Sequence, residues 1–430
     1  VRDVIITLIV LASLPMIFKR PFYGAVLWIW ISVMNPHTQS WGWARDMPFA
    51  AIIAGTTVLA MLAKPREIVF PKTGLIALLI LFTGWTAVTT VFSIGPENPL
   101  PMLNKVVKIM GMTVVVAMLV RTRKEIEMLV WAVVISLGFY GVKGGLFTIR
   151  SGGAYRVWGP FGTFIEGNNE IALALVMVVP LMIYLVYVIA NKWGKRAMWA
   201  AAGLCALASL GSYSRGAALA LVGMLAFLWL KSQEKLKLGL LLVMMIPPAL
   251  LFMPEQWHNR IDTINNYEQD GSAMGRINAW RMAVNLAGDR PLTGGGFSIY
   301  NQELFAQYAP IPDDVHAAHS IYFQVLGEHG YVGLLLFLGI YFVVWRNGSW
   351  VIKNARNIPE LEWASRLVRM SQVSLIGFMV GGAFLSLAYF DVPYYIMVIM
   401  VATRLLVEKT LAERAAKPPL AQEKETHSVA

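Results

Sequence analysis

Cysteine is nearly missing: the 430 residues hold one, Cys205, set inside an apolar run. An intrachain disulfide is thereby excluded, and a cysteine metal cluster goes with it. Charge is scarce as well. Only 14% of the residues are charged, against about 25% in soluble globular domains, which argues against an ordinary water-soluble enzyme. The apolar stretches lack the alternation of polar and apolar residues that a transmembrane barrel needs, so that architecture is excluded too. No signal-peptide cleavage pattern follows the first apolar run, which reads as an anchor that stays in place. No internal repeat is visible, and the connections between apolar runs hold no D-x-D pair to grip a divalent ion.

What the chain does have is hydrophobicity, 57% of its residues, gathered in runs close to the ~20 residues that cross a bilayer core. The runs lie near 4–18, 21–35, 47–63, 73–91, 105–120, 126–147, 169–190, 197–212, 215–230, 238–253, 319–345, 366–390 and 393–407. The fold class expected is all-α: a polytopic membrane protein with about 12 transmembrane helices and one large, partly helical periplasmic loop. Residues 1–253 would form the N-terminal transmembrane helices and 254–318 a periplasmic loop that shapes part of an active site. Residues 319–410 would form the C-terminal helices, and 411–430 a disordered cytoplasmic tail. Basic residues crowd alternate connections: KPREIVFPK (64–72), RTRKE (121–125), KWGKR (192–196) and KSQEKLK (231–237), then 346–365. The opposite set, 36–46, 92–104, 148–168 and 254–318, holds few. Basic connections face the cytoplasm, so the long loop faces outward. The net charge of +11 is thus assigned to topology and anionic lipid head groups, with no nucleic acid as partner.

The outward side collects the candidates. The stretch Pro254–Ala318 contains no lysine, yet it carries Arg276, Arg281 and Arg290 and runs into His319 at the mouth of the next apolar run. Arg215 opens another run in GSYSRGAALAL, and Glu166, Asn168 and Asn169 precede a third in FIEGNNEIALAL. Ionisable residues at such a depth are costly unless they are paired or functional. The planar fork of arginine suits a lipid-linked phosphate. Arg215 also has a plainer reading, a side chain snorkelling at a helix end. Tyr213, Ser214 and His316 are further candidates for binding substrate. From Ser272, read as a cap, a helix runs to near Ala287. Arg276 and Trp280 share one face of it, and Arg281 lies about 140° around from Arg276. Gly294, Gly295 and Gly296 make either an ordinary turn or a close backbone approach to an anion.

His319 fits a general base, because the ordinary histidine pKa of about 6.5 suits proton removal from a sugar hydroxyl. Its other reading is an interfacial histidine bonded to a carbonyl. No metal site and no cofactor are expected, although Asp313, Asp314 and His316 would be the ligands if a metal bound. Glu328, deeper on the same helix, reads as a tie between helices. Trp257, Phe297 and Phe305 are expected to shield the reacting centre from water.

These segments resemble a known family. HSIYFQVLGEHGYVGLLLF is similar to the H-N/S-x-x-L-x-x-L-x-E-x-G-x-x-G segment of the bacterial O-antigen ligase and polymerase superfamily. GRINAWRMAVNLAGDRPLTGGGFSIY resembles its R-x-x-x-W…P-L-x-G-x-G stretch, and SYSRGAALAL its S-x-S-R-G/A element. RPFYGAVLWIWISVMNPHTQSWGWA looks like the N-terminal region of a subgroup described as O-glycosylation ligases. The matches keep the family's order over residues 20–45 and 155–345. Ser320 departs from the more usual Asn after the histidine, and the turn at Gly296 and Phe297 is richer in glycine than in many members.

The resemblance implies a metal-independent, inverting glycosyltransferase of the membrane-embedded C type. It implies transfer of an O-antigen glycan from undecaprenyl pyrophosphate to lipid A–core on the periplasmic side of the inner membrane. Arg215 and Arg276 would hold the pyrophosphate, and His319 would activate the acceptor hydroxyl. A polymerase or a protein O-oligosaccharyltransferase would use the same donor. The non-enzyme alternative is a flippase or exporter of the same lipid-linked sugar, which calls for charges near mid-membrane and often for inverted repeats. Here the ionisable residues crowd the outward ends, which favours the enzyme. Arg215, Arg276 and His319 are then expected to line one cavity, open outward and sideways to the bilayer.

Overall fold

The computed structural model describes residues 1–232, 234–262 and 271–416, and these are all-helical apart from turns and loops. The first six helices are α1 (Arg2–Lys19), α2 (Phe22–Ile29), α3 (Phe49–Ala63), α4 (Gly74–Val91), α5 (Leu100–Leu119) and α6 (Arg123–Arg150). Next come α7 (Asn168–Val188), α8 (Lys192–Leu210), α9 (Arg215–Lys231) and α10 (Lys235–Phe252). The long polar stretch holds α11 (Glu255–Asp262), α12 (Gly271–Asp289) and α13 (Gln302–Tyr308). The order closes with α14 (Ile321–Asn354), α15 (Glu362–Gly382) and α16 (Asp391–Ala416). Five of them, α4, α5, α6, α7 and α14, are long and apolar enough to cross a membrane. This makes a multi-pass membrane protein; the larger count of about twelve crossings is not shown by length and composition alone.

Burial follows composition. The central helix α7 is apolar on every side, and its residues from Ile171 to Met182 are all buried, as expected of a helix with no polar face. Along α6, small residues let α8 come close: Gly141 faces Cys205, Gly144 faces Ala208 and Gly145 lies against the Leu204 backbone. The buried Cys205 thus has a packing role.

One helix is broken inside. Inside α14, Gly330 adopts φ 66° and ψ −169°, a region essentially reserved for glycine. The turn at 291–296 docks into that break. Gly295 N–H donates to Gly327 C=O (2.9 Å), Gly296 N–H to Glu328 C=O (2.8 Å) and Tyr331 N–H to Pro291 C=O (2.8 Å). Both glycine N–H groups therefore face a helix and not an anion. Glu328 does tie elements together, accepting the Tyr389 hydroxyl at 2.5 Å. The ring nitrogens of His329 meet Tyr389 Oη and Thr89 Oγ1, each at 2.7 Å. Phe297 packs edge-on against His329 with centroids 4.8 Å apart, so it belongs to this core and does not screen the reacting centre. Phe305 is likewise core, buried with Met282 and Leu286. A Cβ at Gly330 would run into the carbonyls of Pro291 and Leu292. We expect Gly330→Ala to cost about 1–3 kcal/mol, read as a lower thermal midpoint in detergent; an unchanged midpoint would show that the break is not needed.

Some boundaries differ from expectation. The apolar run 366–390 does not continue as one helix: α15 stops at Gly382, and a turn occupies the rest. The run 21–35 leaves α2 through a π-helical turn, Trp30–Met34. Ser272 is itself helical in α12, the residues just before Gly271 lie outside the described ones, and α12 extends to Asp289. Residues 411–416 continue α16 as helix instead of opening a disordered tail; the rest of that expected tail, 417–430, lies outside the described residues.

Candidate active site

Four elements meet at one end of the bundle. The turn before α9 puts Tyr213 at φ 63°, a left-handed conformation that a bulky residue adopts at a cost. Its hydroxyl donates to Gly153 C=O at 2.7 Å, which pins the 151–157 turn beside α9. Ser214 caps α9, its Oγ accepting Ala217 N–H at 3.1 Å. Arg215 follows as the first helical residue and is half-buried. Gly216 lets α9 lie close to Phe384 of the turn after α15, since a Cβ there would stand 3.1 Å from the Phe384 Cβ. Asn168 opens α7 and donates from Nδ2 to Ser212 C=O at 2.8 Å.

The long polar stretch supplies the other wall. Asn278 of α12 clasps the 311–314 segment: its Nδ2 donates to Ile311 C=O (2.8 Å) and Asp314 C=O (3.0 Å), and its Oδ1 accepts Ile311 N–H (2.9 Å). Trp280 donates from Nε1 to Ala318 C=O at 2.6 Å and stacks on Phe323, with centroids 5.0 Å apart. These ties hold the 311–320 segment over the face of α12 that carries Arg276.

Two recesses result, and they share Arg215, Gly216, Arg276 and Phe384. The first, of ≈60 Å³, is polar and adds Arg156, Asn168, Asn169, Tyr213 and Ser214. The second, of ≈200 Å³, is mostly apolar, with Leu219, Ala273, Ile277 and Trp280. Arg215 and Arg276, far apart in sequence, thus share one wall, while Arg281 is exposed elsewhere on α12.

His319 is not part of either recess wall, but it lies within electrostatic reach of Arg276. Burial, Arg276 and His316 push its pKa down from the ordinary 6.5 to about 4. Its backbone is left-handed as well, φ 42°, and its N–H donates to Ser386 Oγ at 2.9 Å. The buried Nδ1 of His319 and the Ser320 hydroxyl take no hydrogen bond among the described residues. Buried polar atoms of this kind are few in native structures and call for an explanation. His316 sits against Gly275, next to Arg276, with its Nδ1 3.0 Å from Asp314 Oδ1.

Besides His319, expected to line one cavity with Arg215 and Arg276, two further residues of this end of the bundle depart from the sequence reading. Glu166 does not reach the recess: its Oε2 accepts Gly162 N–H at 2.9 Å and closes its own turn. Trp257, expected as a shield, is buried against Tyr213 and Met253 and donates to Leu210 C=O at 3.0 Å, which braces the turn before Arg215 from behind. Arg156 was missed. It lines the polar recess with its guanidinium 5.7 Å above the Tyr213 ring. Its only signal in the sequence is a basic residue in an outward connection that holds few.

Comparison with known proteins matches two stretches of the chain. Residues 200–338 match the family model of the O-antigen ligases, a span that includes Arg215, Arg276 and His319. Residues 1–190 match a family of unknown function, which covers Arg156, Asn168 and Asn169. No curated protein matches the chain.

Proposed function

We propose, from the premise that the chain belongs to the O-antigen ligase superfamily of membrane glycosyltransferases, that it transfers O-antigen glycan from undecaprenyl pyrophosphate to lipid A–core. The observation that carries the reading is the shared wall: three arginines, Arg156, Arg215 and Arg276, meet at one polar recess. In this reading the bundle crosses the inner membrane about twelve times, and residues 254–318 form a periplasmic loop. The recess of ≈60 Å³ is sized for phosphate oxygens, not for a sugar. The apolar recess beside it, between α9 and α12, gives the start of the polyprenyl chain a way back to the bilayer.

The chemistry then follows from charge. The acceptor hydroxyl gives its proton to the neutral imidazole of His319, and its oxygen forms a bond to the anomeric carbon. The bond from that carbon to the pyrophosphate oxygen breaks on the opposite face, so the configuration inverts. The negative charge that develops on the leaving oxygen falls among guanidinium groups already in place, and preorganised charge of this kind needs no metal.

The test is direct: purified protein, lipid-linked glycan and lipid A–core, all in excess EDTA. Glycan attached to lipid A–core is the expected result. Lengthening of the donor glycan alone would make the protein a polymerase. Transfer that returned only after Mg²⁺ addition would overturn the metal-free step; Asp313, Asp314 and His316 are not grouped as a metal site among the described residues. Arg156 is exposed and reaches the recess from its rim, so its contribution is discounted for solvent. We expect Arg156→Ala to raise the donor KM about tenfold with little change in kcat. An unchanged KM would remove Arg156 from the donor site.

A further inference from the structure

Helix α6 joins two different sites. Its last turn leads to Gly153, which Tyr213 holds beside the candidate active site at 2.7 Å. Its first turn faces a groove of ≈650 Å³ bounded by α1, α2 and α5. The 28 residues between span about 42 Å at 1.5 Å per residue, more than the ~30 Å of a hydrocarbon core. The groove therefore lies at the opposite membrane surface from Arg215.

Its lining has two characters. Met16, Phe22 and Leu119 make apolar sides; Met16 is 52% exposed on the outer surface of α1, and the nearly buried Phe22 and Leu119 form the base. Lys19, Arg20 and Arg121 stand at the mouth with a single carboxylate, Glu125, so three cations less one anion leave a charge of +2. That carboxylate is already engaged within the fold. Its Oε1 accepts Arg20 Nη2 at 2.5 Å, and its Oε2 accepts the N–H groups of Arg121 (2.8 Å) and Thr122 (2.9 Å). Glu125 thus positions Arg20, and its charge is already taken off in the +2. Lys64 adds a fourth cation at the same corner, its Nζ donating to Lys19 C=O at 2.5 Å. Two helices, α2 and α6, begin there and two, α1 and α5, end there, so the helix dipoles offset one another and the side-chain cations set the charge of the mouth. Topology alone puts cations at this end of the helices. It does not require them to converge on one recess with apolar walls.

We propose that this groove binds an anionic diacyl phospholipid. The phosphate sits among Lys19, Arg20 and Arg121, and an acyl chain runs along Met16 on the outer surface of α1. A soluble phosphate would leave the apolar sides wet, and a zwitterionic head group would bring its own ammonium against the three cations. Bound there, the lipid joins the α1–α2 corner to the start of α6.

Native mass spectrometry of the full chain in neutral detergent tests this, with phosphatidylglycerol and phosphatidylcholine of identical chains as probes. Wild type is expected to keep phosphatidylglycerol preferentially. Lys19→Gln combined with Arg121→Gln should weaken that binding on the order of 30-fold, since each cation near a membrane surface contributes a similar share. Arg20 is left in place so that its pair with Glu125 survives. Equal retention of both lipids by wild type, or unchanged binding by the double variant, overturns the proposal. So does displacement of the lipid by millimolar inorganic phosphate, which would assign the groove to a free anion. Should the double variant not fold, wild type labelled with a photoreactive phosphatidylglycerol decides: label confined to 16–23 and 119–125 supports the site, and label spread over every basic connection refutes it.

Discussion

His319→Ala is expected to lower glycan transfer by about 10²–10⁴-fold, the usual worth of general-base assistance, while donor binding stays within a few-fold. The side chain meets the demands of the role in three ways. It lies within electrostatic reach of Arg276, where the donor's charge would lie; its Nδ1 is not committed to a hydrogen bond among the described residues; and it is neutral at physiological pH. A base must be unprotonated to act, so activity is lost as pH falls through its pKa. With that pKa near 4 in the free protein, kcat/KM should hold level on the acid side down to about pH 5 and decline below. Donor binding brings negative charge against Arg276 and cancels part of the field that depresses His319. The acid limb of kcat, which reports the complex, should therefore lie at higher pH than that of kcat/KM. Activity of His319→Ala within a few-fold of wild type would remove the residue from the mechanism. Coincident acid limbs would show that Arg276 and the donor charge do not act on it.

Much of this was legible in the chain, and the rest was hidden for identifiable reasons. Continuous apolar runs located the helices because nothing else keeps a backbone satisfied in lipid. The 140° separation of Arg276 and Arg281 followed from helical geometry and holds: one lines the recess, and the other is exposed. The turn at 383–390 was invisible because Phe384, Leu385, Leu387 and Tyr389 are as apolar as a helix, although Phe384 and Ser386 both reach the site. Arg156 was invisible for another reason. The loop RVWGPFG has no periodicity, and it is placed by contacts distant in sequence, Val157 N–H to Gly211 C=O (3.0 Å) and Tyr213 to Gly153. Glu166 drew notice as an acidic residue at a helix mouth, where hydrogen bonding to its own turn is the commoner use of such a side chain. The break in α14 was written as GEHG, but a helix with two glycines and a helix that receives a docking turn look alike until the turn is seen.

The arginines separate the site from mere surface charge. Arg276→Ala is expected to reduce kcat/KM by about 10²–10³-fold, the scale for loss of one preorganised group that meets developing negative charge. It borders both recesses and also acts on His319, so it should leave a second signature. Without its positive charge the imidazole is easier to protonate, and the acid limb of kcat/KM should move to higher pH. A change that only loosened the fold would not shift that limb. Arg215→Lys keeps the charge at the start of α9 but gives up the planar fork that grips two phosphate oxygens at once, so a loss of about 10-fold or more is expected even there. Arg281→Ala, on the exposed face of α12, should stay within about threefold, as surface charges usually do. Kinetics of the three variants across pH with a lipid-linked donor decide the matter. Equal damage from Arg281→Ala and Arg276→Ala would mean that α12 does not present its Arg276 face to the donor, and the three-arginine recess would lose its place in the reaction.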